Sequence, residues 1–392
     1  GGQYMMSPDL LADAGDVQWV GTFEQPDAII RKNIFPNNSF VESQWTDAYQ
    51  TINAANNVLS ALDQIGDPAE RERIEGEARL IRGMLYFELV RLFAKPWNAV
   101  DPASAPGVPL ILEPTRSITE DDNVTRNTVQ EVYAQAIADL TTARDLLPGS
   151  NGVYADTYVA SALLSRVYLM QGDDQKAAEA ADRVLQSDAF SLAPTFADVF
   201  NNASDIGEYI FAIQINSQDG TNDLNTFYAA STDGGRGDIN IQPQHLNRYD
   251  STDARGDFFY TDPSTGEVRT KKWQDDESDG ANIPVLRLAE MYLTRAEANL
   301  RNGSTIGAPP VDDVNAVRER AGVPPLSSVT VDDVLRERRL ELSFEGNLLH
   351  DLKRTERSVG PLPFDADDLV YPIPQRECDA NPEISQNPGY SC

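Results

Sequence analysis

His245 and His350 are the only imidazoles in the chain, and Cys378 and Cys392 are the only thiols. A nucleophile with its base, or a zinc centre, needs several such groups converging on one point. Two histidines far apart in sequence and in no recognisable motif do not supply them. No Gly-x-Ser-x-Gly elbow, no phosphate-binding Gly-Lys loop and no Gly-x-Gly-x-x-Gly opening a helix is present. The 62 acidic residues ensure that some carboxylate pair lies at glycosidase spacing by chance, so acidity alone is no sign of hydrolysis. Asp275, Glu277, Asp279 and Gly280 copy the start of an EF-hand calcium loop, but its twelfth position, where a bidentate Glu is needed, is Leu286. Arg-Gly-Asp begins at Arg236 and again at Arg255, a tripeptide that arises easily in a chain rich in Gly and Asp. Cys378 and Cys392 lie in the last fifteen residues among Pro, Asn and Gly. Either they close the tail as a disulfide in an oxidising compartment or they stay two thiols, and with no His nearby they do not read as a metal site. These residues predict no catalytic group, no metal and no cofactor, which points to a binding protein and not an enzyme.

The charge balance narrows what could be bound. The net charge of −30 is spread along the chain, with six Lys against twenty-six Arg. Phosphate binding needs a basic stripe and none is visible, so nucleic acid is excluded as a partner. Dispersed acid with scarce Lys suits a solvated surface where salt screens self-repulsion, which points to a high-salt habitat; an ordinary acidic secreted protein is the other reading. The longest apolar helical stretch, Leu80 to Phe93, is broken by Arg82 and Arg91 and falls short of the roughly 18 residues of a membrane span. Any membrane attachment is therefore expected to be indirect. The chain opens Gly-Gly with no initiator Met and no signal-like region, so a targeting segment is either absent or removed.

The elements that would position a binding site are mostly helices. Val129, Val132, Tyr133, Ala136, Ile137, Leu140, Ala143 and Leu147 fall on one face at 3.6-residue spacing, and Pro148-Gly149 ends the run. Leu286, Ala289, Leu293, Ala296 and Leu300 repeat the pattern until Asn302-Gly303. Further helices fit 39–65, 68–94, 156–171, 174–187, 312–321 and 331–345. Ala162 to Asp188 reads as a tetratricopeptide-like helix pair turned at Gly-Asp, and two further pairs fit around 77–147 and 289–322. The expected fold class is mainly α, with TPR-like helix pairs forming an α-α superhelical core, long irregular loops and a few short strands. One domain is expected over 1–392, with the helical core at 39–190 and 284–346 and a loop-rich part at 191–283 and 347–392. Within the latter, EYIFAIQI from Glu208 reads as a short strand.

Five blocks carry a family resemblance: YFELVRLFAKPW from Tyr86, RLAEMYLTRAEA from Arg287, VNAVRERAG from Val314, ERRLELSFEG from Glu337 and YPIPQRECDANPEISQNPGY from Tyr371. WTDAYQTINAANNVL from Trp45 and the Asp-x-Arg at Asp253 and Arg255 add two more. In order and spacing these resemble the RagB/SusD family across nearly the whole chain. Leu348 stands where the family often has Arg, which leaves a buried ion pair in the C-terminal helix open, and Arg295 stands where it often has Tyr. Cys378 takes a place usually apolar, so the disulfide stays open too. The resemblance implies an outward-facing lipid-anchored protein of the cell outer membrane. It would capture oligo- or polysaccharide, less often peptide, and deliver it to a SusC-like TonB-dependent transporter. Family precursors begin with a signal peptide and a lipidated Cys, so this chain resembles an N-terminally shortened form whose membrane link is an anchor it does not contain.

By the same analogy the ligand-binding residues are Asp16, Trp19 and Phe23 in an early loop, Trp97 at the Pro-rich excursion, and Asn225, Tyr228, Arg236 and Asn240 in the central loop. Flat aromatic faces meet sugar C–H surfaces while amide, carboxylate and guanidinium groups meet hydroxyls. Simple packing competes with ligand contact for Trp19 and Trp97, whereas Trp45 and Trp273 read as structural. Arg287, Arg318, Arg320, Arg338 and Arg339 read as partners of Glu290, Glu297, Glu337 and Glu341 between helices, since each lies within about a helical turn of a carboxylate. A −30 chain repels polyanions, so the expected ligand is a neutral carbohydrate. The alternatives are a TPR-type scaffold for a peptide or protein and a carbohydrate-active enzyme on a helical frame.

Overall fold

The computed structural model describes residues 2–117, 119, 123–216, 218–219, 222–275 and 280–392, so Glu277 and Asp279 of the calcium-loop mimic lie outside the described residues. In chain order the elements begin with α1 (Gln3–Leu11), β1 (Val17–Trp19), α2 (Glu24–Ile30), α3 (Ser39–Leu59), α4 (Pro68–Phe93), α5 (Val129–Leu146), α6 (Thr157–Gln171) and α7 (Asp174–Leu185). They continue with β2 (Tyr209–Ile213), α8 (Asp223–Tyr228), β3 (Ile239–Ile241), α9 (Pro243–Leu246), β4 (Phe259–Thr261), β5 (Val268–Thr270) and β6 (Ile283–Arg287). The last are α10 (Leu288–Asn302), α11 (Pro310–Arg320), α12 (Val331–Glu341), α13 (Leu348–Arg354) and α14 (Gln375–Ala380). The protein is mainly helical, with three two-stranded antiparallel sheets, β1–β3, β2–β6 and β4–β5, among the described residues. The chain divides into two compact units, one of residues 1–30 and 173–351 and the other of residues 31–172 and 352–392. The segment Ala162 to Asp188, read as one helix pair, supplies α6 to the second unit and α7 to the first.

Capping explains most helix starts in the second unit. Asn38 accepts from the N–H groups of Phe40 and Val41 at α3, Asp67 from Ala69 and Glu70 at α4, and Asp156 from Tyr158 and Val159 at α6. Thr128 and Glu131 form a reciprocal capping box at α5. Helices α4 and α5 meet closely because Gly83 has no side chain: a Cβ there would sit 3.0 Å from the Ala136 carbonyl and the Leu140 side chain. The helix read as 39–65 ends at Leu59 and gives way to a short 3-10 turn at Leu62–Gln64.

The Pro-rich excursion between α4 and α5 is ordered by one guanidinium. Buried Arg126 donates to the carbonyls of Gly107 (2.7 Å), Phe93 (3.1 Å), Pro106 (3.2 Å) and Ser385 (3.1 Å) and to Asn387 Oδ1 (2.9 Å). Asn387 Nδ2 in turn reaches the carbonyls of Phe93 and Tyr371. A disulfide between Cys378 and Cys392 closes the tail around this contact, with Cα atoms 5.5 Å apart.

In the first unit, α10 packs against α7, α11 and α12, and the apolar core there is Ala289, Leu293, Ala296, Val314, Val317 and Val334. Beside it lies a buried ionic network. Arg287 donates to Glu208 (2.7 Å), Glu341 (3.0 Å) and Glu345 (2.8 Å), and Arg320 donates to Glu208 (2.9 Å) and Glu341. Arg255 is held by Asp253 (2.8 Å) and Glu337 (2.6 Å), and Lys272 by Glu345 (2.5 Å). The expected pairing of the arginine-rich blocks with glutamates between helices is found for Arg318 with Glu337 and Arg320 with Glu341, and Arg287 joins Glu341 as well, whereas Arg338 and Arg339 take aspartates. Arg318 reaches Glu337, Arg338 reaches Asp351 in α13 (3.0 Å), Arg339 reaches Asp16 (2.5 Å), and Glu297 takes Arg301. Arg295, the departure from the family pattern, ties α10 to α7 and α11 through Asp182 (2.5 Å) and Asp313 (2.6 Å). The helix read as 331–345 stops at Glu341, and Phe344 (φ 62°) and Gly346 (φ 76°) turn the chain so that Glu345 reaches Arg287 and Lys272.

Removing one partner from a buried, satisfied ion cluster strands charge, at a cost of about 3–5 kcal/mol. Arg287→Leu is expected to lower the unfolding free energy by that amount in denaturant titration. Lys176→Ala, which breaks the exposed 2.7 Å pair with Asp173, should change it by less than about 1 kcal/mol. Equal effects of the two substitutions would show that the network is not what holds this unit.

Candidate ligand-binding site

Within the first unit, β1 and β3 bring together early and central residues of the chain in antiparallel register, with Gln18 opposite Asn240 and Trp19 opposite Ile239. Strand alternation then sorts their side chains. Val17 and Trp19 are buried, while Gln18 and Val20 are exposed. The backbone N–H of Val20 continues the ladder to the Asp238 carbonyl at 2.8 Å. Gly21 is needed beside it, since a Cβ there would lie 2.5 Å from Asp238 Cγ. The chain turns there and presents Phe23 in front of α2 with 39 % of its surface exposed.

Arg236 completes the surface. Its guanidinium carbon stands 4.4 Å from the Phe23 ring centroid, and its Nε donates to Asp238 Oδ2 at 2.8 Å. One ring face is thus capped by a guanidinium whose Nη atoms make no hydrogen bond to a described residue, and Val20 lies along the same edge. The exposed surface combines an aromatic ring, apolar Val20 and planar N–H donors, with the exposed Gln18 amide on the ladder. The same geometry settles the first Arg-Gly-Asp: Arg236 and Asp238 are paired with each other. In the second, Arg255 is 1 % exposed.

The remaining nominated residues lie elsewhere. Trp19 packs under the patch against Phe227 at 5.6 Å, and Phe23 meets the same ring edge-on at 6.1 Å. Asn225 and Tyr228 are each 1 % exposed. Asn225 Nδ2 donates to the carbonyls of Asp233 and Trp273, which holds the central loop, and Tyr228 packs on Phe344. Asn240 Oδ1 accepts from the Val268 N–H, fastening β3 to the β4–β5 hairpin. Trp97 belongs to the other unit, where it packs on Tyr133 at 5.0 Å. Gln18, Val20 and Asp238 escaped the sequence reading, although the alternation in Val17-Gln18-Trp19-Val20 and Ile239-Asn240-Ile241 carried the signal.

Asp16 is a buried anchor. It accepts from Arg248 (2.8 Å) and Arg339 (2.5 Å), and His245 Nδ1 lies 3.6 Å away. Burial pushes its carboxyl up, but the His245 and arginine contacts outweigh this and hold it well below the usual range. Burial likewise lowers the His245 imidazole, which Asp16 partly offsets. Both residues line a cavity of about 30 Å³ together with Asp9, Arg338 and Ser343, a space for about one water and too small for a sugar ring. Among the described residues no His, Cys, Asp and Glu group is arranged to hold a metal ion.

Asp9 is the unusual acid of this cavity. It accepts from the Gly346 N–H at 2.8 Å, and burial pushes its carboxyl up to about 7, with Glu345 adding to the effect. A carboxyl raised on folding contributes stability that is full below about pH 4 and is lost as pH rises through 7. Asp9→Asn should therefore match the wild type in thermal stability at pH 4 and exceed it at pH 8. A constant difference between the two across that range in melting experiments would show that Asp9 is not buried as an acid.

A SusD-like family model, described as starch-binding and associating with the outer membrane, matches residues 18–169, and the SusD family model matches residues 119–361. SusD-like protein P2 of Formosa agariphila is 28% identical over 97% of this chain and 86% of its own length. A SusD superfamily protein from Bacteroides thetaiotaomicron superposes with a TM-score of 0.87 at 27% identity, covering 98% of this chain and 94% of that one. Surface glycan-binding protein A from Bacteroides uniformis superposes with a TM-score of 0.80 at 25% identity, covering 97% and 93%.

Proposed function

Because the chain belongs to the SusD family, we propose that it is a non-catalytic binding protein at the cell outer membrane that captures a neutral oligo- or polysaccharide. In this reading it passes the glycan to a TonB-dependent transporter and is held at the membrane by a lipid anchor. The observation that carries the proposal is the half-exposed Phe23 ring capped by Arg236. It offers an apolar surface for sugar C–H groups and a fixed plane of donors for hydroxyl oxygens within one patch. The surface glycan-binding and starch-binding descriptions of relatives support the ligand class.

Neutrality of the ligand follows from the patch charge. Arg236 is already neutralised by Asp238, so no net positive charge remains for a sulfate or uronate, and the −30 chain repels polyanions at long range. High salt would screen this repulsion, which also suits a halophilic source. A non-catalytic role fits a cluster in which Glu337, Glu341 and Glu345 are each buried against Arg or Lys.

Calorimetric titration against a panel of neutral α- and β-glucans, at low and high NaCl, tests this reading. Phe23→Ala and Arg236→Ala should each weaken binding of the recognised glycan at least tenfold while leaving the circular dichroism spectrum unchanged. Binding of peptides but of no glycan would sink the proposal in favour of a peptide scaffold. Release of reducing ends on long incubation would replace it with a hydrolase.

A further inference from the structure

We propose a second sugar-contact site on the loop joining α5 to α6, residues 148–156, centred on Tyr154. This tyrosine is 66 % exposed, well above Phe23, and its neighbour Val153 is 49 % exposed. No other large apolar side chain among the described residues reaches Tyr154's exposure. Isolated apolar residues on a surface need no explanation, but this one is displayed by a loop that is held rigidly.

Asn151 Nδ2 donates both to the Ala155 carbonyl (2.9 Å), closing the loop on itself, and to Glu77 Oε1 of α4 (2.8 Å). Glu77 is in turn fixed by Arg73 at 2.7 Å. The Tyr154 N–H turns back to the Asn151 carbonyl, and Gly152 takes the left-handed φ of 65° that the turn needs. On the α6 side, Thr157 bonds the Pro148 and Arg144 carbonyls, and buried Ala155 plugs the base. The ordering entropy of the loop is spent in folding, so a ligand stacking on Tyr154 does not meet that cost.

The polar groups that hold the loop define the ligand. Asn151 Oδ1 and Glu77 Oε2 accept no hydrogen bond from a described residue, while Nη1 of the partly exposed Arg73 donates to Glu77 Oε1. Two free acceptors on the loop and its anchor suit hydroxyl donors, the exposed ring suits C–H surfaces, and the Glu77–Arg73 pair leaves no net positive charge for sulfates and uronates. The occupant is thus a neutral hexose oligomer, the ligand class on which the functional reading above already rests.

Isothermal titration with maltohexaose and laminarihexaose, using the full chain, reads the number of sites. With the hexasaccharide that binds, the wild type should take up two molecules per chain, Tyr154→Ala one and Phe23→Ala one. Tyr154→Trp, which keeps a flat ring, should take up two. One molecule per chain in the wild type, lost in Phe23→Ala and kept in Tyr154→Ala, would overturn the second site and leave the proposed function standing. Two molecules in Tyr154→Ala would overturn the second site as well. No hexasaccharide bound by the wild type would overturn both readings. Tyr154 is solvent-exposed, so its replacement leaves the fold intact, as circular dichroism would verify.

Discussion

The first unit is organised by the demand that Arg287 be fully paired. A guanidinium 1 % exposed is tolerable only if its donors meet acceptors of good geometry, because removing the charge from water costs several kcal/mol. Three glutamates from separate places, Glu208, Glu341 and Glu345, converge on it. That convergence sets backbone geometry. Strand β2 must pair with β6 so that Glu208 stands beside Arg287, and α12 must end at Glu341 so that the next turn can return Glu345. Phe344 adopts a left-handed backbone that a phenylalanine avoids unless its surroundings impose it, and the imposed contact is this one. The Phe344 carbonyl then accepts from Trp273, and its ring packs on Tyr228.

This dependence explains what was legible in the sequence. Helices whose apolar residues repeat at three and four and whose first residue is Asn, Asp or Thr were readable to within a residue or two, as at α4, α6 and α7, because period and cap are local signals. The early end of α12 was not, since Leu342 and Phe344 continue the apolar pattern and the reason to stop lies in an ion pair with Arg287. The arginine-rich blocks were expected to meet glutamates between helices, as Arg318 and Arg320 do, whereas the approach of Arg339 to Asp16 joins residues far apart in the chain and leaves no signal in spacing. Strand β1 is three residues long, and its partner β3 lies more than two hundred positions away, so neither announces the other.

The candidate site was legible in parts. Phe23 and Arg236 were singled out by residue type and by family analogy, and the fold sets one on the other. Asn225 and Tyr228 come from the same loop, but helix α8 turns them inward, where an amide holds the loop carbonyls and a ring fills the space above Phe344. Residue type cannot separate these cases, because an aromatic or amide that supports a binding loop has the same chemistry as one that contacts the ligand. Strand alternation could have separated Gln18 and Val20 from Trp19, had the segment been read as a strand.

The two units bury arginine in opposite ways, and the difference has a physical consequence. Arg287 is matched by carboxylates; burial pushes Glu341 up, but the surrounding guanidiniums overcome this and hold it well below its ordinary range. A carboxylate depressed in this way contributes stability that is present above its unfolded value of about 4.5 and is lost as pH falls further. Arg126 in the other unit is matched by carbonyls and an amide, none of which titrates, and burial brings its own value down only to about 10. From pH 4 to pH 8 its contacts therefore keep the same charge state, so the Pro-rich excursion and the tail around Asn387 do not depend on acid ionisation. Of the two, only the glutamate cluster is open to acid, well below the ordinary carboxylate range, and with it the Phe344 turn that the cluster holds.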